Sequence, residues 1–199
     1  VLRNSAHFQK GNFQMKKFIA LAALLAASTA FAGGFGSVEY SGRDGVDGTA
    51  DARATKVTMG TDINQLLKAD FSLRQKTNTD NDLSDTRLEG GLTATQPIGG
   101  TGFSVYGRGA VGEKFKTSAN YTYYSVEPGI KYAVTPALSV KAGYRYRAAL
   151  DSANADTTRT YRLGAEYALT KNYFVGLGYD QVRGDSTYNA TNVAVGFKF

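Results

Sequence analysis

The chain has no cysteine, no tryptophan, three prolines and a single histidine, His7, among its 199 residues. Without cysteine there is no disulfide framework and no thiolate metal site. His7 lies in a segment expected to be removed, so the remainder has no histidine. That excludes hydrolase triads built on a histidine general base. Long apolar runs are scarce too. The only one, 18–27, falls short of the roughly 20 residues a spanning helix needs, and no helical period is sustained anywhere downstream.

That one apolar run has a specific setting. Met15-Lys16-Lys17 precedes it, and Ser28-Thr29-Ala30-Phe31-Ala32 follows it. A charged start, an apolar stretch and an Ala-x-Ala site, in that order, predict a secretory signal at 15–32. Cleavage is expected between Ala32 and Gly33. Residues 1–14 read as an upstream mis-start, and 33–199 as one domain. Removing Arg3, Lys10, Lys16 and Lys17 takes the 23 bases to 19 against 17 acids, and the formal charge from +6 to +2. The basic character therefore belongs largely to the precursor, and a nucleic-acid partner loses its main support.

What is plentiful is glycine, tyrosine and phenylalanine, at 23, 13 and 11 residues. They fall in alternating segments. The final stretch places Val193, Val195, Phe197 and Phe199 on one face, with Asn192, Ala194, Gly196 and Lys198 on the other. Similar alternation marks strands near 34–42, 53–61, 65–76, 85–95, 102–114, 121–134, 138–149, 158–169 and 173–183. Gly-, Asp-, Asn- and Pro-containing connections separate them. The fold class expected is all-β: an antiparallel transmembrane up-and-down β-barrel of about ten strands, with eight or twelve as alternatives. Short turns are expected at the periplasmic end and longer loops outside.

The two faces of these strands differ in chemistry. One is nearly free of charge, as lipid contact requires. Its aromatics gather near strand ends: Tyr124, Tyr146, Tyr161 and Tyr179 in an outer belt, Phe103, Tyr132, Tyr167, Tyr173 and Phe199 in an inner one. The other face holds glycines, twelve cations and six acids, namely Glu39, Asp70, Glu89, Glu127, Glu166 and Asp180. Arg87, Arg108, Lys131, Lys141, Arg145, Arg147 and Arg162 are the candidate pore-lining residues among the cations; the others are Lys56, Lys68, Arg74, Lys114 and Lys198. Lys141, Arg145 and Arg162 are expected to form a cationic stripe. Charge of one sign along a lumen can select anions. Equally, the charges can pair and fill a narrow barrel.

Other motifs are weaker. Asp80 and Asp82 fit a solvated loop better than a Ca²⁺ site. Gly107-x-Gly109-x-x-Gly112 has the spacing of a nucleotide fingerprint, but it lies mid-strand with no helix after it. No cofactor and no enzymatic activity are expected.

The signal at 15–32, the alternating strands and the terminal Phe197 and Phe199 together resemble the small Gram-negative outer-membrane β-barrel proteins, of the OmpA/OmpX-like and small-porin type. That resemblance implies outer-membrane lipid and the barrel assembly machinery as partners, with Phe197 and Phe199 as the assembly signal. Ser125-Val126-Glu127-Pro128-Gly129, Leu138-Ser139-Val140 and Tyr144-Arg145-Tyr146-Arg147 are locally similar to the oligogalacturonate-specific porins. Similarity to that family implies that Arg145 and Arg147 line the lumen. The functional expectation is a narrow channel with mild preference for small anionic solutes. The alternative is a non-conducting barrel that supports the envelope or binds through its loops.

Overall fold

A computed structural model describes residues 33–46, 51–78, 84–116, 120–151, 156–185 and 187–199. The expected mis-start, the signal and Ala32 lie outside these residues, as do Asp80 and Asp82. The described chain forms ten strands: β1 (Gly34–Gly45), β2 (Ala52–Asp62), β3 (Leu67–Asn78), β4 (Ser84–Pro97), β5 (Phe103–Phe115), β6 (Asn120–Ala133), β7 (Leu138–Ala149), β8 (Thr157–Ala168), β9 (Tyr173–Gly184) and β10 (Tyr188–Lys198). Each pairs antiparallel with its neighbours in sequence, and β1 pairs with β10 to close the barrel. The closure satisfies backbone groups that an open edge would expose to lipid.

The strands are steeply staggered. A register line of inward residues starts at Phe35, at one end of β1. It passes through Gly60, Asp70, Gly91, Ala110, Ser125, Arg147 and Thr158 and reaches Gly184 at the far end of β9. A stagger of about twelve residues over ten strands corresponds to a strand tilt of about 40° and a wall radius of about 10 Å. Strands of this length and tilt stand about 30 Å tall, enough for an apolar band of about 25 Å.

Both termini of the barrel lie at the end that carries connections 63–66, 98–102, 134–137 and 169–172. Three of these turns are built alike. Ile63 and Asn64 donate their N–H groups to the Leu67 carbonyl, Val134 and Thr135 to Leu138, and Leu169 and Thr170 to Tyr173. In each, the polar residue's side chain accepts two further N–H groups: Asn64 Oδ1 from Leu66 and Leu67, Thr135 Oγ1 from Ala137 and Leu138, Thr170 Oγ1 from Asn172 and Tyr173. Asn and Thr suit this place because a short side chain can bond its own backbone two and three residues on. Lys171-Asn172 is thus the second half of a four-residue turn, not a two-residue hairpin. The fourth connection turns through Gly100 and Gly102, both at positive φ.

At the other end the connections are 46–51, 79–83, 116–119, 150–156 and 185–187. They run from three to seven residues, against four or five for the turns, so the expected contrast in length is present but slight. Alternation, by contrast, holds throughout. Val38, Leu92, Val111, Val126, Leu163, Leu177 and Val195 face outward and are exposed. The aromatics fall in the two expected belts, with Tyr124 against Tyr146 and Tyr144 against Tyr161 at the outer end and Phe103 against Tyr132 at the inner end. Asp44, Arg53, Glu113, Arg159 and Arg183 lie on the outward side only toward the outer rim, where headgroups rather than acyl chains would meet them.

The seam at β10 has a particular construction. Gly34 and Phe199 exchange backbone hydrogen bonds at 2.9 Å in both directions. On the outward face the Phe199 ring covers Gly34 and the Phe197 ring covers Gly36, so a Cβ at either glycine would collide with an aromatic ring. The two rings are 5.6 Å apart. The terminal aromatics therefore cap the closing pair of strands on its outer side.

Candidate lumen and its charge tiers

The barrel interior is the candidate site, and its side chains form three tiers. The middle tier is a belt of ion pairs. Arg108 on β5 holds Asp70 of β3 bidentately, at 3.0 Å from Nε and 2.6 Å from Nη2, and donates from Nη1 to Glu89 of β4 at 2.8 Å. Glu89 also accepts from Arg145 of β7 and, at 3.0 Å, from the Tyr123 hydroxyl. Arg162 on β8 holds Asp180 of β9 through Nε and Nη2 and donates to Glu127 of β6 at 2.8 Å. The Tyr106 hydroxyl donates to the other Glu127 oxygen at 3.2 Å. Glu89 and Glu127 are thus shared by donors from three and two strands, and Arg108 and Arg162 each bridge two acids, which ties the wall laterally as well as through its backbone.

These long side chains lie along the wall. A Cβ at inward Gly91 would meet the Arg108 guanidinium at 2.5 Å, and one at Gly112 would meet the Tyr123 ring. Gly129 and Gly143 lie beneath Tyr106 in the same way, and Gly164 beneath the Lys141 stem. Lumen glycine thus provides recesses into which neighbouring large side chains fold. The Arg108, Arg145 and Arg162 side chains keep 15%, 19% and 24% of their surface accessible.

The tier at the end that carries the turns is lysine-rich. Lys131 and Lys141 stand directly opposite each other on β6 and β7, and both are exposed. Lys68 pairs with Asp62 at 2.9 Å, and Lys198 pairs with Glu166 at 3.1 Å. Phe35 and Phe174 also point inward here, with Lys68 over the first ring and Lys198 over the second.

The tier at the outer end contains Arg43, Arg74, Lys76, Arg87, Lys114 and Arg147. Its acids among the described residues are Asp85 and Asp156. Asp156 accepts from Lys114 at 3.0 Å and from Arg147 at 2.7 Å. Asp85 lies 3.4 Å from Lys76 and 4.0 Å from Arg87. Arg74 donates to Ser41 Oγ at 3.2 Å, and Arg43 stacks 4.4 Å from the centre of the Tyr188 ring.

All seven candidate pore-lining residues point into the barrel, but they do not act as one set. Arg145 and Arg162 do not form a free cationic stripe with Lys141, because Glu89, Glu127 and Asp180 hold both guanidiniums. Arg108 is held the same way. Arg147 is buried at the outer end on Asp156. Only Arg87, Lys131 and Lys141 have no carboxylate closer than 4.0 Å among the described residues.

The expectation missed Arg43, Asp85 and Asp156, which it left in loops or at strand edges. β1 in fact runs on to Gly45, which carries Arg43 inside. The alternation Glu39, Ser41, Arg43 was a signal that could have found it. Asp156 precedes β8 and could not be placed by alternation. Among the described residues no three His, Cys, Asp or Glu side chains converge to hold a metal ion. An apolar recess bordered by Phe103, Ile130, Leu163 and Leu177 lies on the outward wall, not in the lumen.

No protein-family model matches the chain, and no curated protein matches it. Solved structures do. The COG4313 outer membrane channel from Pseudomonas putida F1 aligns at TM-score 0.57 and 11% identity, over 85% of this chain and 96% of that one. The translocator domain of the autotransporter NalP from Neisseria meningitidis aligns at 0.46 and 11%, over 96% and 98%. The KdgM porin in complex with disordered oligogalacturonate aligns at 0.44 and 13%, over 82% and 99%. At these identities what is shared is the fold, and the first of the three carries that statement: the chain has the architecture of a small outer-membrane β-barrel.

Proposed function

We propose that the protein resides in the outer membrane and forms a narrow, water-filled passage with mild preference for small anions. The observation that carries this reading is the posture of the middle tier. Arg108 lies along the wall over Gly91, all three of Arg108, Arg145 and Arg162 are tied to carboxylates of the wall, and their side chains remain accessible. Among the described residues, cations predominate in the tiers on either side. A lumen of this kind would favour entry of anions without a tight site in the middle, since the central arginines are already paired. The signal at 15–32 would direct export and be cleaved between Ala32 and Gly33, and assembly would use the strand ending at Phe197 and Phe199. N-terminal sequencing of protein recovered from outer membranes tests the first step.

Single-channel current in a planar bilayer under a salt gradient tests the passage. Discrete steps with a reversal potential favouring anions are expected, and Arg162→Ala should shift that potential toward cations. A folded, heat-modifiable barrel without current would sink the proposal. It would favour a second reading, a non-conducting barrel stiffened by its interior, for which the lateral ion-pair belt is the supporting observation.

A further inference from the structure

The strand register places Lys56, Arg74, Arg87 and Lys114 directly opposite one another in succession across β2, β3, β4 and β5. All four point into the lumen. Like charges in directly opposed positions repel, and a sheet does not ordinarily line up four of them. Each end of the row has a counter-charge. Lys56 stands opposite Glu39 across β1 and β2, and Lys114 is bonded to Asp156 at 3.0 Å. The two central arginines have no carboxylate in direct hydrogen-bond contact among the described residues. Arg74 donates to the Ser41 hydroxyl, which in turn lies 3.5 Å from Glu39, and Arg87 stands 4.0 Å from Asp85.

Arg43 completes the cluster from β1. It is 5% exposed and stacks 4.4 Å from the centre of the Tyr188 ring, with Arg74, Arg87 and Asp85 among the charges around it. Its Nε and Nη2, together with Nε of Arg74 and Nε of Arg87, are buried without any hydrogen-bond partner. Buried guanidinium N–H groups left unpaired are costly, and costlier still where the charges repel. Guanidinium forks match oxyanions in geometry as well as in charge. We infer that Arg43, Arg74 and Arg87 form a binding site for a phosphate-class oxyanion, inorganic phosphate or the phosphate group of a small solute, beside the Tyr188 ring at the outer end of the lumen. The site rests on the proposed entry of water and small solutes from outside, but not on conduction through the barrel.

The test is equilibrium dialysis of inorganic phosphate against the full protein, purified from outer membranes in a detergent without phosphate. Saturable binding is expected, displaced by sulfate at far lower concentration than by chloride. Arg43→Gln and Arg87→Gln should each weaken it at least tenfold. Lys171→Gln, in the turn at the opposite end, should leave it unchanged. Heat-modifiable gel mobility shows whether each variant is folded. If Arg43→Gln is not, Arg43→Lys keeps the charge without the fork and should still weaken binding. No saturable binding by the wild type, undiminished binding in a folded Arg43 or Arg87 variant, or equal loss in Lys171→Gln would each overturn the site. Bilayer recording separates the two proposals. Phosphate binding without current removes the passage and keeps the site, whereas current without binding does the reverse.

Discussion

The middle and the outer tiers of the lumen use the same side chains to different ends. In the middle, the arginines of β5, β7 and β8 are matched by carboxylates of β3, β4, β6 and β9, and Asp70, Glu89, Glu127 and Asp180 are all engaged. Toward the outer end, Arg74 and Arg87 face each other directly, and Arg43 is buried beside them. The middle tier is a closed set of charges that binds the wall together. The outer tier is an open set whose described members do not neutralise one another. One barrel thus separates a structural use of arginine from a recognition use by a few residues along each strand.

Removing Glu89 should break this contrast most severely. Glu89→Gln leaves Arg108 and Arg145 short of their shared carboxylate, and losing one partner of a buried ion pair costs about 3–5 kcal/mol. Unfolding by urea in phospholipid vesicles should show a correspondingly lower midpoint. Arg162→Gln strands Glu127 and Asp180 together and should cost about 3 kcal/mol on the same scale. Arg87→Gln tests the other region. It relieves repulsion on both sides of the row, so stability should stay within about 1 kcal/mol of wild type, rising at low ionic strength and not at high. A loss comparable to that of Glu89→Gln would show that the outer tier is as closed as the middle one.

Smaller effects belong to the wall itself. Thr135→Ala removes an acceptor for two turn N–H groups and should cost about 1 kcal/mol, readable in the same unfolding series. Phe197→Ala uncovers Gly36 at the seam and should cost about 0.5–1 kcal/mol in the folded state. If Phe197 also serves as an assembly signal, the variant's yield in cells would fall by more than that stability change accounts for.

Much of the barrel was legible from the sequence because a strand's side chains alternate with a period of two. One face in lipid and one in the lumen then write themselves into every segment. The segment 138–149 coincides with β7, and the other expected segments lie within a few residues of their strands. Departures occur at the ends. Segment 65–76 is displaced to Leu67–Asn78 because Asn64 accepts from the N–H groups of Leu66 and Leu67 and carries the turn further than composition suggested. Strand ends also hid Arg43, since an Arg-Asp-Gly sequence reads as a loop when the partner strand that extends it is unknown.

The sequence by itself determined the class of the molecule, the number of its strands to within two, the face each strand side chain takes and the cationic character of its interior. Those follow from local rules of alternation, turn chemistry and composition. The tertiary structure alone decided which charges meet. Glu89 with Arg108 and Arg145, and Arg162 with Glu127 and Asp180, come together through the stagger of the closed sheet. So does the line from Lys56 through Arg74 and Arg87 to Lys114. Stagger is a property of closure around ten strands. A shift of one pair of strands by two residues would keep every side chain on its face and still exchange one charge partner for another.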